Sequence, residues 1–380
     1  MNGLMMDMPL TITSIMQHAE RVNGAVEIVS VTRDNPRHRY TYSEAFSRVR
    51  QLANVIDGWG LQTGSRIATL AWNDYRHFET YYASACSGYV CHTINPRLFP
   101  EQISYIINHA DDEYVFLDAD FMPLVESVAA ECPGVKGWVV LTDAEHMPPT
   151  ELDNVHCYET LLAAGAAEFD WPELDEKAAC ALCYTSGTTG KPKGIVRDNG
   201  GHAVVLNYTM KAIYNMDAGD VFWAASDVGW VVGHAYIVYG PLIAGCTSIL
   251  YEGKPVMTPD AGAFWRVIEE YKVKAIFSAP TAFRAIKKED PQGELLKKYD
   301  LSSLETVFMA GERLDPPTYD WAVETIGRPV VDHWWQTETG WSICANPVGL
   351  DDLPAKPGSS TVPIAGYDLH VLSDAGEPVE

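Results

Sequence analysis

At 380 residues the chain is longer than one hydrophobic core usually covers, so two or more compact units are expected, and 47% apolar residues suffice to bury them. Lys and Arg number 27 against 51 Asp and Glu, and the formal charge of −24 repels phosphate polymers and anionic membrane surfaces at long range. Intrinsic disorder and non-specific nucleic-acid binding are thereby excluded; an anionic small ligand is not, because a local nest of backbone N–H groups overrules the global field.

The amino terminus, MNGLMMDMPL, lacks a basic stretch and carries Asp7 where an apolar leader core would run, which predicts a cytoplasmic chain. Among eight cysteines only Cys180 and Cys183 stand in a C-x-x-C spacing, and neither a second pair nor a His-x-x-x-His completes a zinc set. Buried thiols in a reducing compartment are the expectation.

In chain order, Thr41 and Glu44 have the spacing of a capping box, and Ala45, Val49, Leu52, Ala53 and Ile56 recur on one helical face until Gly58. Apolar strand-like runs at 67–72, 91–94, 114–117 and 138–141 then alternate with helical patterns. Residues 228–251 contain no charged residue and are long enough to span a bilayer. Gly229, Gly233, His234, Gly240, Pro241 and Gly245 break them into short pieces, so protein core is predicted and stable membrane insertion is not.

The second half repeats the rhythm. Thr258 and Pro259 suit the cap and first turn of a helix bearing Phe264, Val267, Ile268 and Tyr271, with a strand at 273–277. Asp315 and Pro316 open another helix that closes at Gly327, and the strand 330–334 follows. The alternation predicts an α/β fold of two doubly wound units that meet near residues 165–180. After Asn346, short runs such as 367–372 suggest the start of a small β unit.

In such sheets ligands collect beyond the carboxyl ends of strands, and four segments place unusual chemistry there. YTSGTTGKPKG, residues 184–194, follows a strand and combines three glycines, hydroxyl side chains and Lys191 and Lys193, a composition suited to cradling a polyphosphate. A Walker loop needs G-x-x-x-x-G-K followed by Ser or Thr, which this segment lacks, so a P-loop kinase or ATPase is disfavoured. Residues 310–313, AGER, form the second segment, and DHWWQTE at 332–338 the third, where Glu338 beside Thr337 offers a hard oxygen ligand for Mg²⁺. Taken alone, Trp334, Trp335 and His333 read as core residues. The fourth is WVVGH at 230–234, whose Gly233 allows close approach and whose His234 can orient a ligand.

Together these segments resemble the adenylate-forming acyl-CoA synthetase superfamily of AMP-binding enzymes, through YTSGTTGKPKG as its phosphate loop and WWQTETG, residues 334–340, as its second hallmark. The resemblance covers essentially the whole chain and has two faces. Up to about residue 195, LAWNDYRHFETYYA from Leu70 and CHTINPRLFPEQISYIINHADD from Cys91 look like medium- or long-chain fatty acyl-CoA synthetases. From there on, SDVGWVVGHAYIVYGPL, FSAPTAFRAIKKED, AGERLDPPT and VVDHWWQTETGW look like propionyl- and acetyl-CoA synthetases.

The resemblance implies a first α/β subdomain at 1–170, a second with the phosphate loop and acyl and adenine pockets at 171–350, and the start of a truncated β-barrel at 351–380. Carried over position by position, Thr185, Ser186, Gly187, Thr188, Thr189 and Lys193 would hold the ATP phosphates. Gly311, Glu312, Asp332, His333 and Trp334 would form the adenine slot, Thr337 would contact the α-phosphate, and Glu338 would bind the metal. Thr185, Lys193, Thr337 and Glu338 would thus carry the catalytic work. The acyl pocket would be lined by Val231, Val232, Gly233, His234 and Ala310 and closed by Trp335, leaving room for propionate.

The activity so implied joins a small carboxylate to coenzyme A through an acyl adenylate, with ATP and Mg²⁺, releasing AMP and pyrophosphate. The family's Thr-Gly-Asp motif, hinge residue and carboxy-terminal lysine would lie after residue 380, so a fragment of little activity is expected. A medium- or long-chain synthetase and a non-catalytic nucleotide-binding fragment are the alternatives.

Overall fold

The structure, a computed structural model, describes residues 7–33, 35–185, 191–351 and 353–379. Helix α1 (Ile12–Asn23) leads into β1 (Glu27–Val31) and β2 (His38–Thr41), an antiparallel pair. The cap expected at Thr41 is present in both directions. Thr41 Oγ1 accepts the Glu44 N–H at 3.2 Å, and the Glu44 carboxylate accepts the Thr41 N–H at 2.8 Å. Behind it, α2 (Tyr42–Asp57) buries the face that the sequence marks, and Gly58 caps its end.

The alternation then runs β3 (Arg66–Leu70), α3 (Tyr75–Cys86), β4 (Val90–Thr93), α4 (Pro100–Ala110), β5 (Asp112–Leu117), α5 (Met122–Val128), β6 (Gly137–Val140), β7 (Val155–Cys157) and α6 (Tyr158–Ala164). Strands β8 (Ala179–Thr185) and β9 (Lys193–Asp198) complete a sheet of order β7-β6-β5-β3-β4-β8-β9, parallel throughout except at β8–β9. On one face Ile103, Ile106 and Ile107 of α4 and Met122, Val125 and Val128 of α5 pack on Leu70, Val115, Leu117 and Val140. Every residue of α3 is buried, including Arg76, His77 and Glu79. Buried charge is tolerated only in pairs, and these have them. Glu79 meets Arg48 at 2.7 Å and the Tyr158 hydroxyl at 2.6 Å, while Arg76 meets Glu159 at 2.7 Å.

Next come α7 (Asn199–Ala212), β10 (Val221–Ala224), a π-helical stretch Gly233–Tyr239, α8 (Gly240–Ala244) and β11 (Thr247–Tyr251). The uncharged segment is therefore core, as expected, and among the described residues no helix is long and apolar enough to cross a membrane. Strand β11 pairs in parallel with both β10 and β1, giving the order β2-β1-β11-β10. Apart from the end of α7 from Tyr208 on, these elements belong to one compact unit, Met1–Asn207 with Asp217–Gly253.

The second unit, Tyr208–Met216 with Lys254–Glu380, carries α9 (Ala263–Tyr271), β12 (Ala275–Ser278), α10 (Pro280–Glu289), β13 (Thr306–Met309), α11 (Pro316–Ile326) and β14 (Val330–Asp332). Strands β12, β13 and β14 are parallel neighbours. Asp315 caps α11 and Gly327 ends it in a left-handed conformation, as the sequence predicts. Thr258 does not cap α9. Its hydroxyl closes a turn on Lys254, donating to the carbonyl at 2.6 Å, and the helix starts four residues later behind Gly262.

Strands β15 (Cys344–Ala345) and β16 (Val362–Pro363) pair antiparallel, and no closed barrel occurs among the described residues. Residues 367–372 do not form the suggested strand beyond one bridge, Leu372 to Pro378. Leu369, Val371 and Leu372 stay exposed. The α/β class itself, with parallel-dominated sheets, is the observed one.

Candidate functional site

In both units the candidate segments follow the carboxyl ends of parallel strands, β8 and β10 in the first and β13 and β14 in the second. Thr185 closes β8 half-buried, and the antiparallel register sets it opposite Lys193, whose side chain is exposed. A hydroxyl and an ammonium thus flank the two stems of the phosphate-loop segment. Ser186, Gly187, Thr188 and Thr189 lie outside the described residues.

In the same unit Val231, Val232, Gly233 and His234 follow β10. A Cβ on Gly233 would come within 2.5 Å of Val228 backbone atoms, so only glycine permits this crossing of the chain. His234 is buried, with Nε2 at 2.8 Å from Thr93 Oγ1, which itself donates to the Gly229 carbonyl at 2.9 Å. With the threonine proton committed, Nε2 carries the imidazole proton and donates. Burial, reinforced by His202 and Arg197, holds the His234 pKa well below the ordinary value. The ring is a neutral, fixed hydrogen-bonding group.

Residues not singled out from sequence hold this segment in place. Asn73 accepts the Val228 N–H at 2.6 Å and donates to the carbonyls of Ser226 and Tyr251, and the Tyr81 hydroxyl donates to the Val228 carbonyl at 2.5 Å. Arg97 meets Asp227 at 2.7 Å with its guanidinium over Trp72. The available signal was a polar residue at the end of an apolar segment, Asn73 after the run 67–72 and Thr93 closing β4.

In the second unit, parallel pairing of Met309 with Asp332 brings Ala310, Gly311 and Glu312 beside His333. His333 Nδ1 lies 2.7 Å from the Met309 carbonyl and Nε2 lies 3.0 Å from the Tyr214 hydroxyl, so Nδ1 donates and Nε2 accepts in a neutral ring. Burial pushes its pKa down to about 4 and pushes the Asp332 carboxyl up to about 6. Gly311 adopts φ +101° with open space around it. The Glu312 carboxylate is committed locally: it accepts the Thr281 N–H at the start of α10 at 2.8 Å and pairs with Arg284.

The two tryptophans part company. Trp335 is 9% exposed with its ring 6.1 Å from Phe277, whereas Trp334 is 42% exposed, which corrects its reading as core. The cause is the period of two. Trp334 bridges Cys344 through its backbone, and extended chain turns alternate side chains outward. Thr337 is half-buried and Glu338 exposed on the turn closed by the Gly340 N–H to the Gln336 carbonyl at 3.0 Å.

The buried histidines give the fold an acid-sensitive component. His77 and His333 are pushed down to about 4 and His202 to about 3, burial being the chief cause in each. A folded-state pKa below the unfolded value of about 6.5 means the unfolded chain binds protons first. Stability is therefore intact above pH 6.5 and falls as the pH drops towards 4, by up to about 3 kcal/mol for a fully buried histidine such as His333. Urea unfolding midpoints between pH 8 and 4.5 measure this, and His333→Gln is expected to flatten the slope by close to one proton.

The model of the AMP-binding enzyme family matches residues 16–380. The chain belongs to this family. An uncharacterized Pseudomonas aeruginosa protein, PA3568, is 41% identical over 94% of this chain and 59% of its own length. Human mitochondrial acyl-CoA synthetase short-chain family member 3 is 37% identical over 95% of this chain and 54% of its own. The Salmonella typhimurium propionate–CoA ligase is 36% identical over 93% and 58%. The chain thus spans a little over half the length of the curated relatives it matches, and their similarity runs through both of its halves. The fold is that of the anthranilate CoA ligase AuaEII in complex with anthranoyl-AMP, with a TM-score of 0.86 at 22% identity, covering 98% of this chain and 68% of that one.

Proposed function

We propose that the chain is the substrate-activating part of an ATP-dependent acid–CoA ligase that takes a short-chain carboxylate, propionate first. The observation that carries this reading is the similarity to propionate–CoA ligases over 93–94% of the chain. The carboxylate attacks the α-phosphorus of ATP, pyrophosphate leaves, and the thiol of coenzyme A then displaces AMP from the acyl adenylate. Positioning and electrostatics do this work, and no side-chain nucleophile is required.

Thr185 and Lys193 would hold phosphate oxygens from adjacent strands, together with Ser186, Gly187, Thr188 and Thr189. Gly311, Glu312, Asp332, His333 and Trp334 would receive the adenine, and Thr337 the α-phosphate. Glu338 fits a magnesium ligand: its carboxylate is hard, exposed and in no ion pair among the described residues. When bound, Mg²⁺ neutralises charge on the triphosphate. Val231, Val232, Gly233, His234, Ala310 and Trp335 would bound the acyl group. A cytoplasmic setting accords with eight free cysteines.

Pyrophosphate–ATP exchange with acids from acetate to octanoate, on the chain alone and joined to the remaining length of a short-chain relative, tests the reading. Exchange is expected to peak at propionate, with acetate and butyrate lower by about ten- to a hundredfold per methylene misfit. Trp335→Gly is expected to move the optimum to longer acids. A peak at octanoate in the unchanged chain would overturn the short-chain reading, and silence in both forms would overturn catalysis.

A further inference from the structure

Helix α4 touches both stems of the phosphate-loop segment. His109 Nδ1 lies 2.6 Å from the Tyr184 hydroxyl on the entering stem. One helical turn earlier, the Tyr105 ring lies 5.2 Å from Lys191 Nζ on the returning stem. The spacing of four residues puts Tyr105 and His109 on one face, with their rings stacked at 5.3 Å.

Tyr184 is itself held at a set height. It pairs with Gly194 across β8–β9, and a Cβ at Gly194 would come within 3.2 Å of the phenol ring. Glycine there lets the ring lie flat on β9 and reach α4, and His92 packs on its other side at 5.2 Å. Burial, with the Asp112 carboxylate, pushes the phenol up to about 12, so it keeps its proton to donate.

We propose that Tyr105 and His109 clamp the two stems of the phosphate loop and are positioning residues for nucleotide binding. The inference rests on the proposed ATP-dependent function. Stems fixed before the nucleotide arrives have less conformational entropy to lose when it binds. The clamp touches no reacting atom, so its loss falls on ATP affinity and spares the chemical step.

The test uses the whole chain with His109→Ala, His109→Gln, Tyr184→Phe and the double variant. The readouts are ATP Kd by equilibrium dialysis, KM and kcat in pyrophosphate–ATP exchange, and deuterium uptake at residues 191–196. His109 is exposed, so its removal leaves the core packed. His109→Ala is expected to raise Kd and KM for ATP three- to tenfold, leave kcat within twofold and speed uptake at the returning stem. Tyr184→Phe should match it, the double variant should add nothing, and His109→Gln, which can still meet the phenol, should restore most of the affinity. ATP affinity unchanged in both single variants overturns the clamp whatever the uptake does, as does a fall in kcat without one in affinity. A wild type that binds ATP but gives no exchange with any acid overturns the ligase reading instead, and the clamp is then decided by Kd and uptake.

Discussion

On the proposed ligase function, Glu338→Gln is expected to lower carboxylate-dependent pyrophosphate–ATP exchange by about a hundred- to a thousandfold, the range seen when one preorganised electrostatic group is lost from a reacting centre. The substitution keeps the length and planarity of the side chain and removes only its charge. Because Glu338 is exposed on a turn closed by backbone bonds, the fold has no stake in that charge. The proposed role as a magnesium ligand does. Raising the Mg²⁺ concentration should recover part of the rate in the variant and none in wild type already at saturation. Unchanged exchange in Glu338→Gln would remove the residue from the mechanism, and a lowered melting temperature in step with the rate would make the effect structural.

Arg48→Met destabilises the first unit by about 3–5 kcal/mol, the cost of leaving a buried carboxylate without its partner. Glu79 is fully buried, and besides Arg48 it has the Tyr158 hydroxyl, which cannot neutralise it. Burial already holds the Glu79 carboxyl above its ordinary pKa with the arginine in place. Arg48 also bridges to Glu159, which in turn meets Arg76, so the loss spreads through one network. Urea unfolding at neutral pH measures the drop. Adding Glu79→Gln to Arg48→Met should return much of it, because the amide still accepts from Tyr158 without an unpaired charge. A double variant as unstable as Arg48→Met alone would mean that arginine acts through packing and Glu159 rather than through Glu79.

What the sequence discloses is what local chemistry decides. The Thr41 and Asp315 caps, the Gly58 and Gly327 ends and the strand cores are set by neighbours in the chain, and each is where the pattern puts it. Thr258 misleads because a threonine hydroxyl closes a turn on Lys254 as readily as it caps a helix. Residues 367–372 mislead because a short run between turns becomes a strand only where a core receives one of its faces. For the site, the strand-end segments were legible from composition. The side chains that fix them were not: Asn73 and Tyr81 serve a segment more than a hundred residues away, and nothing near them in sequence marks that partner. Trp334 and Trp335 are chemically identical, and only the extended backbone between β14 and Cys344 decides which one faces solvent.

The pairing of β1 with β11 sets a timetable for synthesis. Tyr42, next to β2, donates its hydroxyl proton to the Cys246 carbonyl 204 residues later, and the Arg33 N–H meets Glu252 across 219 residues. At about 5–20 residues per second, a ribosome needs about 10 to 40 s to supply that distant stretch. Over this interval β1 has no parallel neighbour, and its open edge is a template for a wrong partner. The nascent amino-terminal third is consequently the stage at which a holding chaperone would have most to protect, and slow translation there would lengthen the exposure.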